Sequence, residues 1–153
     1  IYLSRQISDG NRSLRTTLRD SAFHSLQEWN YHLISDKALA NIFQRGAQGL
    51  EHLEPDERPQ FAHTLYSYFK VWENIYLHYL DGSVTEEFWE SNRATLLIYA
   101  HQPGLEWYWE ERRAFFDSRF VDSLRETPAP SSVKPPARML DIEVEAGDDR
   151  ELA

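Results

Sequence analysis

The run from Phe61 to Leu80, FAHTLYSYFKVWENIYLHYL, constrains this chain more than any other stretch. At 100° per residue, Phe61, Leu65, Tyr68, Phe69, Trp72, Ile75, Tyr76, Tyr79 and Leu80 share one stripe, with His63, Lys70, Asn74 and His78 opposite. The pattern predicts a long amphipathic helix whose buried face is mostly aromatic. It sets the class as helical, packed around large rings, and it names no reaction.

The rest of the chain reads as further helices. Leu14, Leu18, Ala22, Ser25, Leu26, Trp29 and Leu33 form one stripe, which predicts a first helix from about Asn11 to Ile34. Gly10 and Asn11 weaken a helix, so residues 1–10 read as a juxtamembrane flank or a frayed extension. Ser35 reads as the N-cap of a second helix to about Ala47, with Asp36 in its first turn and Gly46 and Gly49 as stop signals. Glu54-Pro55-Asp56-Glu57 reads as the start of the third helix, which Asp81-Gly82 ends. Thr85 caps a fourth to about Ala100; a short fifth carries Trp107, Tyr108 and Trp109; Asp117 caps a last one through Leu124. From Thr127 the composition turns Pro-rich and acidic, and residues 127–153 read as a disordered tail. The expected fold is therefore all-α: an irregular bundle of five or six helices over residues 11–126, with an aromatic core.

Charge narrows the function classes. The net charge is −9, unevenly placed: residues 1–19 carry four arginines against Asp9, whereas residues 126–153 carry seven acids against three bases. An acidic body argues against nucleic-acid binding, because phosphate neutralisation supplies most of that affinity. There is no cysteine, which removes disulfides, thiolate metal sites and cysteine nucleophiles together. The chain opens on apolar Ile1-Tyr2-Leu3 followed by arginines, the look of a cytoplasmic membrane flank.

Several constellations could carry chemistry. Arg93 falls within the apolar stripe of the fourth helix, and a charge there needs a partner. Glu73, at the edge of the aromatic stripe, is the expected one, as a structural ion pair fixing helix register or as part of a ligand anchor. His24, Glu28 and His32 are four apart along one helix, but the outer pair spans about 12 Å, too far for a single ion. They read as a solvated helix edge, and no metal or cofactor is called for. Glu106, Glu110 and Glu111 interleave with Trp107 and Trp109; such a segment can bind sugars or cations, and more often plugs the end of a bundle. No nucleophile elbow or phosphate loop is present, so the chain does not read as an enzyme. In the tail, Leu140, Ile142 and Val144 alternate with acids, which suits a strand added to a partner's sheet or a plain solubilising end.

Taken in order, these motifs resemble a group of small uncharacterised bacterial proteins with one N-terminal membrane helix and a helical domain. The residues that carry the resemblance are Tyr2-Leu3, Gln6-Ile7, Ser35-Asp36, Leu39 to Arg45-Gly46, Leu53 to Arg58 with Phe61, and Trp72-Glu73-Asn74 with Tyr76, Tyr79, Asp81 and Gly82. Phe88-Trp89 with Arg93, Pro103-Gly104 with Trp107 and Trp109, and Arg112-Arg113 with Phe116 and Phe120 complete it. The resemblance covers residues 1–125 and not the tail. It implies a membrane span before Ile1, single-pass in a bacterial inner membrane, and no activity; the arginine flank turns the domain to the cytoplasmic side.

Two functional expectations follow. The first is a membrane-tethered interaction or scaffold module that binds a protein partner through an aromatic groove, through Leu140, Ile142 and Val144, or both. The second is a small-ligand or sensor domain whose pocket is drawn from Trp72, Glu73, Tyr76, Trp89, Arg93, Trp107 and Trp109, with Arg93 as anion contact.

Overall fold

The computed structural model describes residues 2–128. It is all-α over that range: α1 (Tyr2–Ser35), α2 (Lys37–Gln48), α3 (Arg58–Leu80), α4 (Glu86–Ala100), α5 (Pro103–Arg112) and α6 (Ser118–Glu126), with single 3-10 turns at Leu50–His52 and Arg113–Phe115. The proposed tail beyond Pro128 lies outside the described residues.

Helix α3 is the hub, packing against α1, α2, α4, α5 and α6. Its Phe61, Leu65, Phe69 and Ile75 are fully buried, and Tyr68 and Trp72 nearly so. The rings meet edge-on or offset, the arrangements that aromatic quadrupoles favour. Trp29 of α1 lies 4.7 Å from Tyr68, Trp89 of α4 lies 5.1 Å from Tyr76, and Trp109 of α5 lies 4.3 Å from Phe69. Leu80 departs from the expected stripe: it is exposed, because the Asp81-Gly82 turn leaves no helix to cover it. Gly82 takes φ 76° in that turn, a left-handed conformation that glycine adopts without a Cβ penalty.

The structure moves three predicted boundaries, each for a local reason. Helix α1 runs without interruption through Gly10 for 34 residues, about 51 Å at 1.5 Å per residue. One glycine costs only about 1 kcal/mol in a helix, which weakens without breaking it. Asp36, not Ser35, caps α2: its carboxylate accepts from the Ala38 and Leu39 N–H groups, both at 3.0 Å, while Ser35 Oγ donates to the Tyr31 carbonyl at 2.6 Å. Asp36→Ala should therefore lower stability by about 1 kcal/mol in urea unfolding, and Ser35→Ala by much less.

The third change is at the start of α3, which begins at Arg58 rather than Pro55. Glu57 folds back instead, accepting from the Glu54 N–H at 2.9 Å and from both terminal nitrogens of Arg45 at 2.9 and 2.6 Å. Arg45 also donates to the His52 carbonyl and to the Asn41 side chain, each at 2.7 Å. The acidic run is thus a loop staple held from α2, and the Arg45 hydrogen bonds keep the Glu57 carboxyl below its ordinary range.

Gly104 lets α5 cross closely over α2, and Gly46 leaves room on α2 for the Phe61 ring of α3. A Cβ on Gly46 would meet the Phe61 ring at 2.6 Å, and one on Gly104 would land on the Gly46 carbonyl. This contact brings the Pro103–Arg112 helix, with Tyr108 and Trp109, onto the core.

Three buried polar atoms of the core have no hydrogen-bond partner among the described residues: the Tyr68 hydroxyl and the Trp72 and Trp109 indole nitrogens. The Tyr68 hydroxyl, buried enough to push its phenol far above the ordinary range, makes no hydrogen bond among the described residues. An unpaired buried hydroxyl is costly, so Tyr68→Phe should raise stability by about 1 kcal/mol. A loss of similar size in the same denaturation assay would mean that the hydroxyl is paired in solution, with the Trp72 indole N–H as the nearest donor type.

Candidate functional site

The seven residues of the predicted ligand pocket do not converge on one cavity. Helix α6 splits them, lying across the bundle with a groove on either side and Leu124 as the shared wall. On the α4 side, Tyr76, Trp89 and Arg93 line a groove of about 200 Å³ with Tyr79, Ser123, Glu126 and Thr127. Tyr79 and Trp89 stack there at 5.7 Å and 15°. On the α5 side, Trp109 lines a cleft of about 350 Å³ with His101, Glu106, Glu110, Arg113 and Arg125. Trp72 lies buried beneath the first groove, and Trp107 packs half-buried against the core and lines neither.

Glu73 and Arg93 are not partners. Glu73 is 7% exposed; its Oε2 takes Lys70 Nζ at 2.6 Å and its Oε1 accepts the Asp117 N–H at 2.5 Å. Arg93 instead pairs along its own helix, Nε to Glu90 Oε2 at 2.8 Å, with 35% of its side chain exposed. The reason lies in how α3 divides its faces. Trp72, Tyr76 and Tyr79 form the row that meets Trp89, whereas Tyr66, Phe69, Lys70 and Glu73 face Phe116 and the α5–α6 junction. Glu73 points away from α4.

The cluster it joins is a clamp. Lys70 Nζ donates to Glu73 and to the Phe115 carbonyl at 2.9 Å, and sits 4.7 Å over the Phe116 ring. Together with the Asp117 N–H bond this ties the start of α6 to α3. Asp117 in turn caps α6 through the Arg119 N–H at 2.9 Å and holds the Arg119 guanidinium at 2.8 Å. Hydrogen bonds from the Arg119 side chain, then its backbone, lower the Asp117 carboxyl from 3.8 to about 2. A folded-state pKa below the unfolded one means that the unfolded chain binds more protons in this window, so stability is lost as pH falls from about 3.8 towards 2. Asp117→Asn should remove its share and flatten the melting-temperature profile across that interval. An unchanged slope would show that the cap does not carry it.

Two surfaces of α1 lie outside the site residues that the sequence suggested. Its C-terminal half buries Ala22 and Leu26, with Trp29 and Leu33 against the core. The outer side of the same half leaves Phe23, Tyr31 and Ile34 uncovered at 46%, 74% and 76% exposure. Three large apolar side chains on one face of one helix make a patch of the kind that marks interaction sites. The N-terminal half continues the buried seam as Ser8, Arg12, Arg15 and Arg19, which line a cleft of about 560 Å³ against Gly82, Ser83 and Thr85. The signal for this was present: 8, 12, 15, 19, 22, 26, 29 and 33 alternate steps of four and three, one helix face throughout. His24 and Glu28 meet at 3.3 Å on an exposed edge, and the partner-binding candidates Leu140, Ile142 and Val144 lie outside the described residues.

Among the described residues, no helix is long and apolar enough to cross a membrane. No family model, no curated protein and no solved structure matches this chain.

Proposed function

We propose that the protein is a helical interaction module, held at a bacterial inner membrane with its domain facing the cytoplasm, that docks a protein partner on the outer face of α1. One observation carries the reading: Phe23, Tyr31 and Ile34 stand uncovered on a helix whose opposite face is already committed to the core. Large apolar side chains, aromatic ones above all, are what interface centres are built from. The basic flank on α1 and the resemblance to single-span bacterial proteins support the membrane placement.

The test is copurification of the full-length protein from solubilised membranes beside Phe23→Ser/Tyr31→Ser/Ile34→Ser. The three substitutions are at exposed positions and should leave the melting temperature nearly unchanged. A stoichiometric partner should be retained by the parent and lost by the variant. A partner kept by the variant but lost on ending the chain at Thr127 would move the contact to the segment with Leu140, Ile142 and Val144. No partner in either case contradicts the reading.

A second reading, a small-ligand domain, draws on the stacked Tyr79 and Trp89 rings beside Arg93 in the 200 Å³ groove. It expects a ligand-induced rise in melting temperature that Arg93→Met abolishes while the fold survives.

A further inference from the structure

We propose that the N-terminal half of α1 is a binding site for the phosphate headgroups of an anionic lipid bilayer. The juxtaposition that carries this is a core-facing helix seam that turns cationic where it leaves the core. Ala22, Leu26, Trp29 and Leu33 occupy the seam along the body, and Arg19, Arg15 and Arg12 occupy the same seam beyond it. There they overhang Gly82, Ser83 and Thr85 across a partly open cleft of about 560 Å³.

A structural use of these arginines would show as ion pairs to the wall opposite. Arg19, among the described residues, pairs only with its neighbour Asp20, at 3.3 Å. Among the described residues, no carboxylate comes within 4.0 Å of Arg12 or Arg15. The acids nearest in sequence to the cleft do not answer them. Asp81 accepts from the Ser83 N–H at 2.8 Å, and Glu86 and Glu87 point their charge to solvent from the first turn of α4. Asp9 and Asp20 fall about 100° round α1 from the arginine line. Three guanidiniums side by side on one wall, with Ser83 and Thr85 on the other, suit phosphate oxygens, which guanidinium binds in a fork.

The surface next to the arginines selects a bilayer over a free anion. Ile7 and Leu14, seven residues apart and so nearly in line, are exposed about 120° round α1 from the arginine line, on the side away from Asp9 and Asp20, and Ile7 reaches the mouth of the cleft. A helix with arginines on one face and uncovered aliphatics on another can lie at the headgroup–acyl boundary. The chain as a whole carries −9, so general attraction to an anionic membrane is excluded and any binding must be local. This inference deepens the membrane placement proposed above and rests on it for its setting.

The experiment is cosedimentation of the 153-residue chain with vesicles of phosphatidylcholine alone or with about 30 mol% phosphatidylglycerol. Binding is expected only with phosphatidylglycerol, weakening as salt is raised. Arg12→Gln/Arg15→Gln/Arg19→Gln should lower the partition coefficient by roughly 100-fold at an unchanged circular dichroism spectrum. Ile7→Ser/Leu14→Ser should lower it by about 10-fold. Equal binding by the triple arginine variant, or none by the parent, overturns the proposal. Full displacement by inorganic phosphate at constant ionic strength would assign the cleft to a free anion and overturn the bilayer. Binding that appears only when the chain ends at Thr127 would mean that the acidic C-terminal segment occupies the cleft, and would overturn it too. Failure here leaves the docking face at Phe23, Tyr31 and Ile34 standing, since copurification tests that separately.

Discussion

Gly104→Ala is expected to destabilise the fold by about 3 kcal/mol or more, read as a fall in the urea midpoint at unchanged slope. The added Cβ would land on the Gly46 carbonyl and lie 3.3 Å from Ala47 Cα, and all of these are helix backbone. A flexible side chain could swing aside; two crossing backbones can only separate. Separation would lift α5, and with it fully buried Leu105 and nearly buried Tyr108, off α2 and α3. Against a typical total of about 5–15 kcal/mol this is a large fraction. Gly10→Ala is the matched control. Nothing lies within 4 Å of a Cβ there and the residue is mid-helix, so alanine should stabilise by about 0.5–1 kcal/mol. Equal effects at the two glycines would contradict the close crossing of α2 and α5.

Glu73→Ala should cost about 2–3 kcal/mol, while Arg93→Met should cost less than about 1 kcal/mol. Breaking a fully buried pair costs roughly 3–5 kcal/mol, but Lys70 is 34% exposed, and water offsets part of the loss. What remains is a Lys70 ammonium left with the Phe115 carbonyl and the Phe116 ring but no counter-charge, and an orphaned Asp117 N–H at the start of α6. Glu73→Gln keeps an acceptor for that N–H and should recover about half of the loss. Arg93, by contrast, holds Glu90 three residues away at the rim of the α4 groove, a partly exposed pair of small net value. A double-mutant cycle sharpens the contrast. Glu73 and Lys70 should couple by about 1 kcal/mol, and Glu73 and Arg93 should be additive within about 0.5 kcal/mol. Coupling between Glu73 and Arg93 would restore the pairing that the sequence suggested.

How much of this was legible depended on the range of the interaction that decides it. The aromatic stripe of α3 and the Thr85 and Asp117 caps were readable because periodicity and capping are local. The start of α3 was not, because Glu57 answers Arg45, twelve residues upstream and in another helix. Ser35 and Asp36 are both good caps side by side, and only the bend of the chain chooses between them. The Glu73–Arg93 error arose from rotation: the stripe tells that Glu73 is at an edge, but not which neighbour that edge meets. For the same reason the predicted aromatic pocket split, since α6, only nine residues long, settles between residues that share no sequence signal. The arginine seam was legible and was passed over; its spacing matches the buried seam of the same helix.

The central claim is that the outer face of α1 docks a protein. The most direct measurement places a photo-crosslinking residue at Tyr31 or Ile34 of the full-length protein in intact cells, with Ser91, exposed on α4, as control. The account expects one discrete adduct of constant mass from both α1 positions and none from the α4 position. Adducts of equal yield from all three positions, or none from Tyr31 and Ile34, would contradict it.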